Sequence, residues 1–146
     1  MAYATQQQVQ IAAGGSAKLI ELTDQEDTAA IDATVLAEAQ KKAEGWMHGY
    51  LRLRHTVPVT NLSAEGAATM ARLSADETVY QLRSAIPGML GETDTSRRIE
   101  RERELEAIRE GKIRIDEPMP TKSSAVAAQF VENCGDVSRE KLKGLL

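Results

Sequence analysis

The sequence is poor in the residues on which several common functional sites depend. Among its 146 residues are one cysteine, Cys134, and two histidines, His48 and His55. A single cysteine excludes an internal disulfide and every zinc site that is built on two or more cysteines. The histidines are seven residues apart, too far to share a metal on one helix, and no HExxH motif is present. The familiar zinc sites are therefore excluded.

Long apolar runs, charge of one sign and phosphate-binding loops are also missing. No apolar stretch approaches the roughly 20 residues that span a bilayer. The N-terminal segment lacks the basic and apolar regions of a signal peptide, so we expect synthesis in the cytoplasm and no membrane partner. The net charge of −4 does not suit a general nucleic-acid binder. Without a P-loop, a GxGxxG motif or a recognisable partner for either histidine, we expect no enzyme and no cofactor.

Aromatic residues make up only 3% of the chain, whereas hydrophobic residues reach 42%. A chain of this length can bury a modest core. That core has to consist of Leu, Ile, Val, Met and Ala, which suits closely packed helices. The sequence therefore predicts a mainly α fold, in which residues 1–116 form a small helical bundle and residues 117–146 form a linker and an extended C-terminal tail. KIRID (Lys112–Asp116) alternates polar and apolar residues and is predicted to be one short strand, whose partner could come from another subunit, or only an extended stretch.

Capping residues and apolar spacing divide the predicted bundle into helices. Thr5 can cap a first short helix that ends at Gly14, and Ser16 can cap a second. An apolar stripe predicts a long helix from Ile31 to Leu53. The members of this stripe recur every three or four residues: Ile31, Val35, Ala39, Ala43, Trp46, Tyr50 and Leu53.

The connection around Pro58 leads into a further helix that Ser63 can begin. We expect its buried side to consist of Ala67, Met70, Ala71, Leu73, Val79, Leu82 and Ile86. The proline and glycine at positions 87–88 then break it.

The last long helix is rich in charge and poor in apolar residues. Thr95 or Ser96 can cap it, and Gly111 can end it. Leu105 and Ile108 are its only neighbouring apolar pair. We therefore expect this side of the helix to lie at the surface or at a subunit boundary.

The segment LTDQEDTAAID (Leu22–Asp32) resembles a calcium-binding loop in composition. An EF-hand loop that starts at Asp24 would place Ala29 where a glycine is needed and Val35 where a bidentate Glu is needed. Both requirements fail, so we expect a connection whose carboxylates stabilise the start of the next helix. A metal-dependent enzyme built around this loop and His48 is the weakest of the alternatives.

Basic residues cluster in the last long helix and just after it. They are Arg97, Arg98, Arg101, Arg103, Arg109, Lys112 and Arg114. Such a cluster could contact phosphates, and the alternative function is accordingly a small helical DNA-binding protein that uses Arg97–Arg114. Five glutamates interleave with these residues, however, and mixed signs cancel most of the field. The pattern favours a solvated helix face.

The order of the segments resembles the Mu-like phage neck protein family, which comprises small head–tail connector, or adaptor, proteins. In that family a Leu-Thr-Asp loop leads into a long helix that ends in Gly-Tyr-Leu, followed by an arginine and a connection containing proline. The matching positions are Leu22, Thr23, Asp24, Ile31, Asp32, Val35, Leu36, Gly49, Tyr50, Leu51, Arg54 and Pro58. Later matches are Asp76, Tyr80, Leu82, Ser138, Arg139, Glu140, Lys143 and Gly144. Glu77 and Thr78 replace more apolar residues of the family, so we expect that part of the helix to face solvent or a neighbour.

The resemblance implies a structural virion protein of the neck, assembled in the cytoplasm of the bacterial host. Such adaptors form a ring, typically a dodecamer, between the portal protein and a tail-terminator or stopper neck protein. Their ring extends the channel through which double-stranded DNA passes without sequence specificity. Their C-terminal segments typically reach into the portal.

Two sets of site residues follow for this chain. The tail has too few apolar residues to fold alone, so we expect it to bind the portal through Phe130, Val131, Val137, Arg139, Lys141, Leu142 and Leu145. The charged helix would supply contacts between subunits or with the channel through Arg97, Arg98, Arg101, Arg103, Leu105 and Ile108.

Overall fold

The structure is a computed structural model that describes residues 2–116. These residues form five successive helices and the connections between them. The helices are α1 (Gln6–Ala13), α2 (Ser16–Thr23), α3 (Ala33–Leu51), α4 (Ala64–Ala85) and α5 (Glu92–Arg109). No strand forms within these residues, and the predicted mainly α fold is confirmed. None of the five helices has the length and apolar composition needed to cross a membrane. The boundary that the sequence predicts between residues 116 and 117 stays a prediction.

The first two helices are set by local caps. The side chain of Thr5 accepts a hydrogen bond from the Gln8 backbone N–H, and the Gln8 side chain accepts one from the Thr5 backbone N–H, which completes a capping box. Gly14 ends α1 in the left-handed conformation, with φ of 97°. These two predictions are confirmed. Ser16, in contrast, is the first residue of α2 rather than its cap, and Gly15 holds the cap position.

Carboxylates of the acidic loop organise the turn between α2 and α3. Asp24 accepts hydrogen bonds from the backbone N–H groups of Thr28 and Ala29, at 3.0 and 2.7 Å. Asp32 caps α3 by accepting from the N–H groups of Thr34 and Val35, at 2.8 and 3.1 Å. The loop is therefore a connection that satisfies otherwise unpaired backbone donors.

Replacing Asp32 with alanine is expected to lower the free energy of unfolding by about 1 kcal/mol, because two N–H groups at the start of α3 lose their acceptor. Urea denaturation followed by circular dichroism measures this loss. Glu38→Ala, at an exposed position of the same helix, is the matched control and should leave the midpoint nearly unchanged. Equal midpoints for the two variants would contradict the capping role.

The buried face of α3 lies beside the predicted stripe. The buried residues are Leu36, Ala39, Ala43, Met47 and Leu51. Ala39 and Ala43 were expected there, but Trp46 and Tyr50 are only half-buried and Leu53 follows the helix, with 73% of its surface exposed. Both stripes have helical spacing, and the difference arises because α3 packs against both α4 and α5.

Two apolar clusters divide the core along α3 and α4. The first unites α1 and α2 with the start of α3 and the end of α4, through residues such as Val9, Leu19 and Leu82. The second unites the end of α3 and the start of α4 with α5. The longest helices thus run through both clusters and join them.

α4 corresponds to the helix that the sequence predicts to begin at Ser63. The structure confirms most of the residues predicted for its buried side. Ser63 caps the helix by accepting from the Gly66 N–H, at 3.0 Å. Ala67 is exposed and Ile86 is only half-buried, since Ile86 lies at the end of the helix. The remaining predicted positions are buried: Met70, Ala71, Leu73, Val79 and Leu82.

The end of the described chain returns to the start of α4. KIRID forms an isolated antiparallel bridge between Asp116 and Leu62 rather than a strand. The Ser63 N–H donates to the Ile115 carbonyl at 2.9 Å, and the Ile115 side chain is fully buried. The pairing partner of KIRID therefore lies in the same chain.

The last helix begins earlier than predicted. Gly91 rather than Thr95 or Ser96 occupies its cap position, and Asp94 accepts a hydrogen bond from the Gly91 N–H at 3.1 Å. This acidic residue in the first turn also suits the helix dipole. Gly111 follows the helix with φ of 78°, as its predicted role at the end requires.

Candidate functional site

Of the six residues predicted for subunit or channel contacts, three are accessible to solvent and three are buried. On the accessible side of α5, Arg97 and Arg103 are exposed and Arg98 is partly exposed. Three are buried inside the chain itself: Arg101, Leu105 and Ile108. The expectation that Leu105 and Ile108 lie at the surface or at a subunit boundary is therefore wrong, because the end of α3 and the start of α4 cover them. A subunit or channel role stays a prediction for the exposed arginines.

The predicted portal-binding residues lie outside the described residues. They are Phe130, Val131, Val137, Arg139, Lys141, Leu142 and Leu145. Their role stays a prediction.

A buried ion-pair network joins α4 to α5. Glu77 is fully buried, and one of its carboxylate oxygens accepts from Nε and from a terminal nitrogen of Arg101, at 3.2 and 3.0 Å. The other oxygen lies 3.4 Å from Arg98 and also accepts from the Gln81 side chain at 2.8 Å. Two guanidinium groups, one buried and one partly exposed, therefore neutralise a carboxylate that is itself fully buried.

Aromatic rings enclose the outer guanidinium of this network. The central carbon of Arg98 lies 5.0 Å from the centre of the Trp46 ring and 4.6 Å from that of Tyr80. Arg101 approaches the same Tyr80 ring at 5.7 Å. Trp46 belongs to α3, so the arginines of α5 hold three helices together by charge and by cation–π contact.

The burial of Glu77 and Thr78 corrects the expectation that this part of α4 faces solvent or a neighbour. Both residues are fully buried. The Thr78 hydroxyl donates to the Ser74 carbonyl at 2.7 Å, which satisfies it within the helix. The arginines described above satisfy Glu77, so both polar side chains enter the interior with partners.

A charged cleft of about 360 Å³ lies beside the network, between α4 and α5. Its arginines are Arg72, Arg83, Arg97 and Arg101, and its acids are Asp76, Asp94, Glu100 and Glu104. Ion pairs join Arg72 to Glu104 and Arg83 to Asp94 across the cleft. Equal numbers of both signs leave the cleft formally neutral, and it therefore does not attract a polyanion strongly.

The cleft perturbs two of its carboxyl groups in opposite directions. Burial raises the pKa of Asp76, and the nearby Arg101 and Arg72 only partly oppose this shift. Burial also acts to raise the pKa of Asp94, but the hydrogen bond from the Gly91 N–H and the contacts with Arg83 outweigh it. The pKa of Asp94 is therefore lowered.

The family of the chain follows from comparison with known proteins. The model of the protein family described as Bacteriophage Mu, Gp36 matches residues 3–132. The chain belongs to the bacteriophage Mu Gp36 family. This membership confirms the resemblance to Mu-like phage proteins and supports a part in the structure or morphogenesis of a phage. A comparison with curated proteins finds no match.

The sequence analysis of this Gp36 family member did not identify Glu77 as the centre of the buried ion-pair network, although the helical spacing of the sequence contained a signal for it. Glu77 continues the helical stripe of Met70 and Leu73, which are both buried. On α5, Arg101 precedes Leu105 by one helical turn and shares its face. A charge at a core position on each of two helices indicates an internal ion pair, but only when both helices are known to pack together.

A second polar contact of the Gp36 family member ties the N-terminus to α3. The Tyr3 hydroxyl accepts from the Val59 N–H at 2.8 Å and lies 3.1 Å from Nε2 of His48. Burial raises the pKa of Tyr3 and lowers that of His48. The alternative of a metal site assigned His48 to metal binding together with the acidic loop. In the structure its ring contacts Tyr3 edge-on, with 5.6 Å between the ring centres.

Proposed function

We propose that this Gp36 family protein is the head-to-tail connector adaptor of a Mu-like phage, a structural virion protein of the neck. Copies of the chain form a ring, typically a dodecamer, between the portal protein and the tail-side neck protein. The ring extends the DNA channel. The observation that carries this proposal is the family match over residues 3–132.

The extent of the match supports a role for the tail. The family model continues beyond the helical bundle and includes Phe130 and Val131. The first part of the tail is therefore sequence that the family shares, and we assign it to portal binding. Two apolar clusters and one buried ion-pair network hold the helices of the bundle together. The bundle therefore supplies a rigid unit for a ring.

The charge distribution fits a wall of a DNA channel better than a DNA-binding surface. Arg98 and Arg101 are committed to Glu77, so the cluster that a DNA-binding protein would use loses two of its charges. The neighbouring cleft balances its arginines with carboxylates. Mixed charge of this kind lets DNA pass without adhering.

Deleting residues 118–146 is expected to abolish binding to a portal ring while leaving residues 2–116 folded. Native mass spectrometry of the purified protein mixed with portal rings measures the stoichiometry. The full chain should add a ring of copies to each portal ring, and the shortened chain should add none. Circular dichroism checks that the shortened chain keeps its helices.

A full-length control avoids any effect of truncation on folding. Phe130→Asp should reduce portal binding strongly, because a charge replaces an apolar anchor. Lys122→Ala, in the linker, should bind as the natural chain does. If the shortened chain bound the portal normally, the tail would not be the anchor. A full chain that remains monomeric and ignores the portal would contradict the connector role itself.

A further inference from the structure

An apolar groove runs between α1 and α4 on the outside of the bundle. It has a volume of about 290 Å³ and is lined by Gln8, Ile11, Ala12, Ala68, Arg72, Ala75 and Asp76. Ile11 stands in its wall with 72% of its surface exposed. Three alanines form much of the remaining lining, so the groove is shallow, smooth and apolar. A surface of this kind is stabilised when another apolar segment covers it.

The described chain ends beside the first turn of α4, the helix that forms one side of this groove. The backbone of Ile115 lies against Gly66, in the first turn of α4, and Asp116 is bridged to Leu62. The groove continues along the same helix from Ala68 to Asp76, and its far end lies about 15 Å from Gly66 along the helix axis. The linker of residues 117–124 can span about 27 Å when extended. Gly66 and Ala68 point to opposite sides of α4, because two residues turn a helix by about 200°, so the linker has to pass around a helix roughly 10 Å wide. An extended linker is long enough to do so and to place residue 125 at the groove.

The segment that follows the linker has the chemistry that the groove requires. Ala125–Val131 reads AVAAQFV, with small apolar residues before the one phenylalanine of the chain. Glu132 comes directly after this segment. Arg72 borders both the groove and the charged cleft and is already paired with Glu104, whereas Arg97 lies exposed in that cleft without an ion pair among residues 2–116. An acidic residue after an apolar segment matches an apolar groove that adjoins the cleft of this unpaired arginine.

We propose that Ala125–Val131 docks into the α1–α4 groove of its own chain, with Glu132 directed towards Arg97. Phe130 and the small residues before it cover Ile11 and the groove alanines. The docked segment includes Phe130 and Val131, so a free copy keeps these side chains covered. Portal binding then has to displace the segment, a consequence that rests on the proposed function. The docking itself does not depend on the portal.

The single cysteine of the chain provides a direct test. Cys134 lies three residues after Val131 and can carry a nitroxide spin label without any substitution. If the segment is docked, the amide NMR signals of Gln8, Ile11 and Ala68 lose more than half of their intensity relative to the same sample with the label reduced. If these signals keep their intensity, the proposal is overturned.

Two variants test whether the broadening comes from the groove. Ala68→Arg places a long charged side chain on the exposed face of α4 and should restore the signals, whereas Ala37→Arg, at an exposed alanine of α3, should not. Phe130→Asp should also restore them and leaves the described bundle untouched. Broadening that survives both Ala68→Arg and Phe130→Asp would be non-specific and would overturn the proposal.

A mixed sample separates docking within a chain from docking between chains. Isotope-labelled Cys134→Ser chain, which carries no spin label, is mixed with spin-labelled chain of natural isotope content. Docking within the chain predicts no loss of the groove signals in this mixture. A loss as large as in the doubly labelled chain would assign the groove to a second copy instead. Neither result involves the portal, so failure here and failure of the connector role are distinguishable.

Discussion

Replacing Glu77 with alanine is expected to lower the free energy of unfolding by about 3–5 kcal/mol, which is one of the two largest effects we predict. The substitution removes the carboxylate that Arg101 and Arg98 share and leaves the buried Arg101 guanidinium without its ion pair. Leaving a buried charge without its partner costs more than losing any single surface ion pair. Urea denaturation, followed by tryptophan fluorescence and circular dichroism, measures it.

An exposed ion pair of the same two helices is the matched control. Glu104 pairs with Arg72, whose side chain is about half exposed, so Glu104→Ala should lower the free energy of unfolding by less than about 1 kcal/mol. The double variant Glu77→Leu with Arg101→Met should recover much of the stability, because neither charge remains buried. A loss for Glu77→Ala no greater than that for Glu104→Ala would show that the network does not stabilise the fold.

Replacing Gly66 with alanine is expected to destabilise the protein, although alanine favours helices. A Cβ atom at position 66 would lie 1.9 Å from the Ile115 carbonyl oxygen, and backbone cannot move as a flexible side chain does. The backbone around Ile115 would have to move away from α4, and the buried Ile115 side chain would then lose its contacts. Such a loss is worth about 2–5 kcal/mol, against a gain of about 1 kcal/mol from helix propensity. The net effect is a loss.

Gly49 provides a control with the opposite expected sign. It lies inside α3, and a Cβ atom there would meet nothing within 4 Å. Gly49→Ala should therefore raise the free energy of unfolding by about 0.5–1 kcal/mol. Thermal and urea denaturation of both variants decide the question. A stabilising Gly66→Ala would mean that the contact between Ile115 and α4 contributes little to the fold.

Local signals predicted most of the helix ends correctly. Thr5, Gly14, Ser63 and Gly111 act where the sequence places them, because a cap depends on residues only three or four positions away. The start of α5 was misplaced by several residues. Its cap position is occupied by Gly91, and the side chain that hydrogen-bonds to this residue belongs to Asp94. A glycine at the cap position is harder to recognise in a sequence than a serine or threonine cap.

Contacts distant in sequence could not be predicted. Glu77 was expected to face solvent or a neighbour, but it is buried because Arg101, which comes from another helix, neutralises it. With only Leu105 and Ile108 as neighbouring apolar residues, α5 was not expected to pack into the core. In the structure, α3 and α4 supply the other residues of the apolar cluster around them. A helix with a thin apolar side is thus buried as deeply as its neighbours allow.

The amino-acid sequence by itself determined the mainly helical class, the ends of most helices, the acidic loop as a connection and the relation to Mu-like phage proteins. These properties depend on composition, spacing and motifs, which are local or additive along the chain. Only the tertiary structure decided which charges are internal. It moved Glu77 and Arg101 from a solvated face into the core and left Arg97 and Arg103 outside. The physical reason is that the burial of a charge depends on the partner that meets it, and packing alone brings that partner into place.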